Sequence, residues 1–142
     1  MQLMSEPGFF APRLFSLGEA NALIPTLRPL LERLAEARKE RAKAQQELDE
    51  RFHGGRGNGH PVPGGELQRV HGAIAAATEE IQSAASGIAE LGCELKDPDR
   101  GMVDFRTQRP GRVVYLCWLM HEPEILYWHE LDGGFAGRRP LE

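Results

Sequence analysis

An imidazole and two carboxylates stand together near the end of the chain, in Tyr127-Trp128-His129-Glu130-Leu131-Asp132, a run whose other side chains have the aromatic and aliphatic character of a β-strand. Ionisable groups placed there must pair, bind a ligand or reach water. Two chemistries follow from the residue types. Asp104, Glu130 and Asp132 supply oxygen ligands of the kind that suit a divalent metal ion, while the sequence leaves the cofactor itself open. Arg112, His129, Glu130 and Arg138 form a second set, suited to a small anion, because guanidinium forks grip carboxylate or phosphate through two parallel hydrogen bonds. Neighbours on an extended strand point to opposite faces, so His129 and Glu130 cannot hold one ion jointly unless the strand ends irregularly. The structural alternative is that His129 donates to a backbone carbonyl and Glu130 pairs with Arg112 or Arg138, with the arginine tail left in solvent.

Other chemistries find little footing. Cys117 lies between Leu116 and Trp118, where burial raises a thiol's pKa, and no Gly-x-Ser-x-Gly elbow is present. No His-Glu-x-x-His or Cys-x-x-Cys spacing offers a zinc motif local in sequence. Cys93 and Cys117 read as reduced, buried thiols rather than a bridge, which favours the cytoplasm. The glycine-rich segment 54–65 lacks the Gly-Lys-Ser/Thr ending of a phosphate loop and follows a helix rather than a strand.

The elements that must position these residues follow from periodicity. The chain has 142 residues, which fits a single domain over 1–142. Ser16 and Glu19 have the spacing of a capping box, so a helical segment over 16–53 begins there. Pro25 and Pro29 break it into a short helix and a longer one from about Thr26. Leu27, Leu30, Leu34, Ala37, Arg41, Ala44, Leu48 and Phe52 then form a stripe in alternating steps of three and four. After the flexible loop 54–65, a second helix over 66–91 repeats that alternation through Leu67, Val70, Ile74, Ala77, Ile81, Ala84, Ile88 and Leu91, a coiled-coil seam. The two make a long antiparallel helical hairpin.

Beyond Leu91 the period falls to two. A three- to four-stranded antiparallel sheet is expected over 92–132, with a tail over 133–142, giving an α+β fold. If His121-Glu122-Pro123-Glu124 forms the turn of the last hairpin, Trp118 faces Tyr127 and Leu116 faces His129. Both faces are then apolar enough to need cover from the helices, a terminus, a ligand or a second subunit. Small residues Ala73, Ala76, Ser83 and Gly87 on the second helix would admit another copy, so a homodimer is expected.

The net charge is −4, and acids are interspersed among Arg100, Arg106, Arg109 and Arg112, so no nucleic-acid partner is expected. No window approaches the roughly 18 apolar residues of a membrane span, and no membrane partner is expected either. Phe15-Ser16-Leu17-Gly18-Glu19-Ala20-Asn21, Glu94-Leu95-Lys96-Asp97-Pro98, Gly101-Met102-Val103-Asp104-Phe105, Leu116-Cys117-Trp118 and the Trp128-His129-Glu130-Leu131-Asp132 run resemble a family of uncharacterised prokaryotic proteins classed as a domain of unknown function. That resemblance implies a small cytoplasmic protein and transfers no catalytic residues. Two functions stay open: a self-associating protein that binds a partner or a small anion through its sheet and tail, or a divalent-metal-assisted hydrolase or transferase using Asp104, His129, Glu130 and Asp132.

Overall fold

The computed structural model describes residues 12–53 and 64–142, so most of the glycine-rich loop expected at 54–65 lies outside the described residues. The chain divides into two compact units, one of residues 28–87 and one of residues 1–27 with 88–142.

The first unit is a pair of long helices. Helix α2 (Ile24–Leu48), followed by a π-helical turn (Asp49–His53), is separated by Leu23 from the short helix α1 (Leu17–Ala22), which belongs to the other unit. Helix α3 covers Gly64–Glu90. The break falls two residues before the expected Thr26, because Pro25 fits the first turn of α2, where a missing N–H costs nothing; Pro29 follows inside the helix. Cross-pairs run in opposite senses along α2 and α3: Arg33 Nε meets Glu80 Oε2 at 2.7 Å, Arg69 Nη2 meets Glu47 Oε2 at 2.8 Å, and Arg51 meets Glu66. The helices are therefore antiparallel. Val70, Ala77 and Ala84 form the buried spine of α3, opposite Leu31, Leu34, Ala37, Ala44 and Leu48 of α2. Leu31 takes the central place expected of Leu30, and Arg41 is exposed. Leu30 instead lies over Gly87, where an added Cβ would be 3.2 Å from Leu30 Cδ2.

In the second unit, Ser16 Oγ accepts the Glu19 N–H at 3.0 Å while Glu19 Oε1 accepts the Ser16 N–H at 2.9 Å, so the expected capping box starts α1. The sheet is an antiparallel meander of five strands in chain order: β1 (Glu94–Asp97), β2 (Met102–Arg109), β3 (Arg112–Leu119), β4 (Tyr127–His129) and β5 (Arg139–Pro140). The fifth strand comes from the stretch read as a tail. In the last large hairpin the register is one residue from expectation, with Cys117 opposite Tyr127, Leu116 opposite Trp128 and Tyr115 opposite His129. The physical reason lies in the connection. Glu122 folds inward, and Ile125 is buried with its amide held by Asn21 Oδ1 at 2.9 Å, so neither Ile125 nor Leu126 joins the strand.

Alternation along the strands then separates two faces. Asp104, Arg106, Tyr115, Cys117, Tyr127 and His129 share one; Phe105, Leu116, Trp118 and Trp128 share the other. On the second face Phe15 meets Phe105 edge to face, with centroids 5.2 Å apart, and its carbonyl accepts from Thr107 Oγ1 at 2.6 Å. Cys93 and Cys117 are both buried and free, as read from the sequence. Among the described residues no helix is long and apolar enough to cross a membrane.

Two glycines in the β-turns test the backbone. Gly101 (φ +68°) and Gly111 (φ +86°) both occupy the left-handed region, but a Cβ on Gly101 would lie 2.8 Å from Met120 Cβ, whereas Gly111 faces open space. Gly111→Ala should lower unfolding free energy by about 1 kcal/mol from backbone strain alone, and Gly101→Ala by about 3 kcal/mol because Met120 must also move. Urea denaturation of the two variants checks the difference; equal losses would refute the close contact.

Candidate functional site

The polar face of the sheet carries a buried constellation drawn from three strands. Register sets Asp104 of β2 directly opposite Cys117 of β3, and His129 of β4 reaches across to them. His129 Nε2 lies 2.9 Å from Asp104 Oδ2, and both residues are 1% exposed. The other ring nitrogen, Nδ1, lies 2.7 Å from the Glu130 carbonyl oxygen. A carbonyl only accepts, so Nδ1 carries a proton. Nε2 therefore meets the carboxylate either as a second N–H, giving an imidazolium–carboxylate pair, or as a lone pair accepting from a protonated Asp104. Burial pushes the Asp104 carboxyl above its ordinary range, against the pull of His129, Cys117 and Lys96. One proton is thus held between the two groups. Asp104 Oδ1 has no hydrogen-bond partner among the described residues. The Cys117 thiol beside it is pushed up to about 12 by burial and by the Asp104 charge, so it is not a nucleophile at neutral pH.

Arg138 closes this face from above. Its Nη1 and Nη2 donate to the two oxygens of Glu122 at 2.9 and 2.8 Å, its Nε to Cys117 Sγ at 3.3 Å, and Nη2 also to the Cys117 carbonyl at 3.1 Å. The guanidinium lies 4.2 Å from the Tyr127 ring centroid. Glu122 in turn accepts the Leu119 N–H on Oε1 at 2.9 Å, and its carbonyl accepts from the Trp118 indole at 2.9 Å. The arginine tail is therefore a clamp, and the carboxylate it grips belongs to the protein itself. Next to Asp104, Glu94 gathers Tyr115 Oη at 2.8 Å, Arg106 Nε at 2.9 Å and Lys96 Nζ at 3.5 Å, with Lys96 also 3.9 Å from Asp104 Oδ2.

The opposite face ends in a different cluster. Arg109 and Arg112 face each other across the β2–β3 turn, and Arg139 pairs with Trp128, so all three guanidinium groups gather over one indole, at 4.6, 5.9 and 5.2 Å from its centroid. Among the described residues one carboxylate serves them. Glu130 accepts from Arg112 Nε at 2.9 Å and Nη2 at 2.6 Å, and this pairing, with the fields of Arg139 and Arg109, holds it below the usual carboxylate range.

Of the residues expected to form a metal set, Asp104 is in the buried constellation, Glu130 is on the other face with Arg112, and Asp132 is exposed in the following turn. They do not come together. The expected anion set is likewise divided: Arg112 and Glu130 lie on the Trp128 face, His129 and Arg138 in the polar interior. Sequence reasoning groups Arg109 with Arg112 around one loop but misses Cys117 as a neighbour of Asp104 and Arg139 as a neighbour of both arginines; strand register is the signal that finds these two.

The Arg138–Glu122 pair, whose side chains are 11% and 9% exposed, makes stability pH-dependent. Burial works against the Glu122 charge, but the hydrogen bonds from Arg138 and Leu119 outweigh it and leave its folded pKa lowered. Its contribution is therefore full above the unfolded carboxylate range and is lost as pH falls through the lower folded value. Glu122→Gln should reduce unfolding free energy by about 3 kcal/mol at neutral pH, and the gap between variant and wild type should close on acidification. Thermal midpoints measured from pH 7 to about pH 3 check this; a gap independent of pH would exclude the ion pair as its source.

No curated protein and no solved structure matches the chain. A family model described as an uncharacterized conserved protein (DUF2203) matches residues 13–141, almost the full length of the chain that folds into this helical pair and sheet, and the protein belongs to that family.

Proposed function

We propose that the protein binds a small anion bearing phosphate or carboxylate groups on the Trp128 face, through Arg109, Arg112 and Arg139. The observation that carries this reading is an imbalance of charge: three guanidinium groups share one indole, and Glu130 engages only Arg112 within ion-pair distance. Arg109 and Arg139 keep their forked donors for a ligand, and Trp128 supplies a flat wall beneath it. Like charges held this close are relieved by an anion, which is why such clusters recognise phosphate and carboxylate. The alternative of a metal-assisted hydrolase or transferase draws no support from Glu130 and Asp132, which stand apart from Asp104.

Isothermal titration with inorganic phosphate and with citrate tests the reading. Saturable binding that weakens with salt is expected, with Arg109→Met and Arg139→Met each reducing affinity about tenfold while leaving thermal midpoints near wild type. Absence of binding heat at millimolar citrate and phosphate would refute it.

Self-association through the helical pair is the second part of the proposal. An open groove of about 440 Å³ is floored by Ala37, Ala73, Ala76 and Ala77 and rimmed by Arg33, Glu36, Glu40 and Glu80. Small residues on its floor admit the close backbone approach of a second copy related by a twofold axis. Sedimentation should show a dimer at tens of micromolar, and Ala76→Arg should shift it to monomer while Gln46→Arg does not.

A further inference from the structure

We propose that Asp104, Cys117 and His129 bind a transition-metal ion of the zinc class, which ties the three central strands of the sheet together. These three side chains are the one group among the described residues whose ligand atoms converge on a common centre, all lying within 4.8 Å of one another. They combine thiolate, imidazole and carboxylate, the donors that borderline divalent ions prefer.

The hydrogen-bond arrangement favours a cation there. With its proton committed to the Glu130 carbonyl through Nδ1, neutral His129 presents the Nε2 lone pair to a carboxylate oxygen 2.9 Å away. Two lone pairs at that distance repel unless a proton or a metal lies between them. An imidazole whose second nitrogen donates to a backbone carbonyl is also the outer arrangement that metal-bound histidines adopt. Asp104 Oδ1 is the second sign. It is a carboxylate oxygen without a partner on a residue that is 1% exposed, and a chelating carboxylate would use it as the fourth donor beside Oδ2, Nε2 and Sγ. With bonds of about 2.0 Å and a near-tetrahedral angle at the metal, Asp104 Oδ2 and His129 Nε2 stand roughly 3.3 Å apart, so their 2.9 Å gap must open by a few tenths of an ångström while Cys117 Sγ, within 4.8 Å of both, moves in to bond.

Charge also balances. The metal's two positive charges meet one carboxylate and one thiolate; of the nearby cations, Arg138 is paired with Glu122, and Lys96 lies 3.5 Å from Glu94 and 3.9 Å from Asp104 Oδ2. Arg138 Nε donates to Cys117 Sγ, which favours the thiolate. Binding forms four metal–ligand bonds and breaks the S–H bond of Cys117; that proton and the one shared by Asp104 and His129 leave to solvent, two protons in all. All three residues are shielded from water, so no coordination position is open to substrate, and the role is structural.

The full-length chain, unfolded in urea with a chelator and refolded with or without one equivalent of Co²⁺, tests the proposal. Refolding with the metal should produce a thiolate-to-cobalt charge-transfer band and visible d–d absorption stronger than that of aqueous Co²⁺. It should raise the thermal midpoint by about 5 °C or more and release two protons, read from the buffer dependence of the pH change. Cys117→Ser should abolish the charge-transfer band, and His129→Gln the midpoint shift. Cys93→Ser, Glu130→Gln and Asp132→Asn should keep both. Wild type alone is decisive if the site variants fail to fold: no thiolate band and no midpoint shift with Co²⁺ or Zn²⁺ overturns the proposal, as does loss of the band in Cys93→Ser.

Discussion

Because the Glu130 carbonyl can only accept, its hydrogen bond to His129 Nδ1 decides which face of the imidazole is left to meet Asp104, and the polar interior of the sheet is arranged around that choice. The carbonyl is itself fixed by the turn that follows β4, where the Gly133 amide also donates to it at 2.9 Å. A main-chain turn thus sets the protonation of a side chain buried beneath it. Asp104 can then be held only by a cation or by keeping a proton; Arg138 is committed to Glu122, while Lys96 is shared between Glu94 and Asp104. Buried charge in this sheet is paired with opposite charge close by, which is the condition under which it is tolerated.

The pleat gives the two faces their separate characters. His129 and Glu130 are adjacent, as are Arg138 and Arg139, and in both pairs one member turns inward and the other outward. The inward members, His129 and Arg138, complete a buried network; the outward members, Glu130 and Arg139, join Arg109 and Arg112 around Trp128. A chain written as two charged dipeptides is read by the sheet as two sites, one closed and one open.

Periodicity made the helices legible, since Val70, Ala77 and Ala84 repeat at one position of the seam and no other spacing buries them together. Ser16 and Glu19 marked a helix start that needs only local hydrogen bonds. Register was harder. The local pattern of the last hairpin spells a four-residue turn, but Glu122 is drawn inward by Arg138 and Ile125 by the core, lengthening the connection and moving every facing pair by one. Those two forces join residues 16 positions apart and more, which no local pattern encodes. The Asp104–Cys117–His129 group was hidden for the same reason. Asp104 and His129 are 25 positions apart, and only the paired strands make them neighbours. The sequence offers Arg138 as an anion clamp but does not reveal that the carboxylate it grips is Glu122, because the turn that contains Glu122 is remote from it in the chain.

The outer strands of the sheet bear on how such molecules avoid one another. Strand β1 is four residues long and irregular between Leu95 and Asp97, and beyond it the Phe15 amide takes up the Arg106 carbonyl. At the other side β5 has two residues, and the second, Pro140, has no amide hydrogen to offer. Neither border presents the straight row of free donors and acceptors on which a foreign strand could be templated. The sheet is thereby guarded against the indiscriminate edge-to-edge growth that leads to fibrils, and any assembly of copies is directed to side-chain surfaces, where recognition is selective.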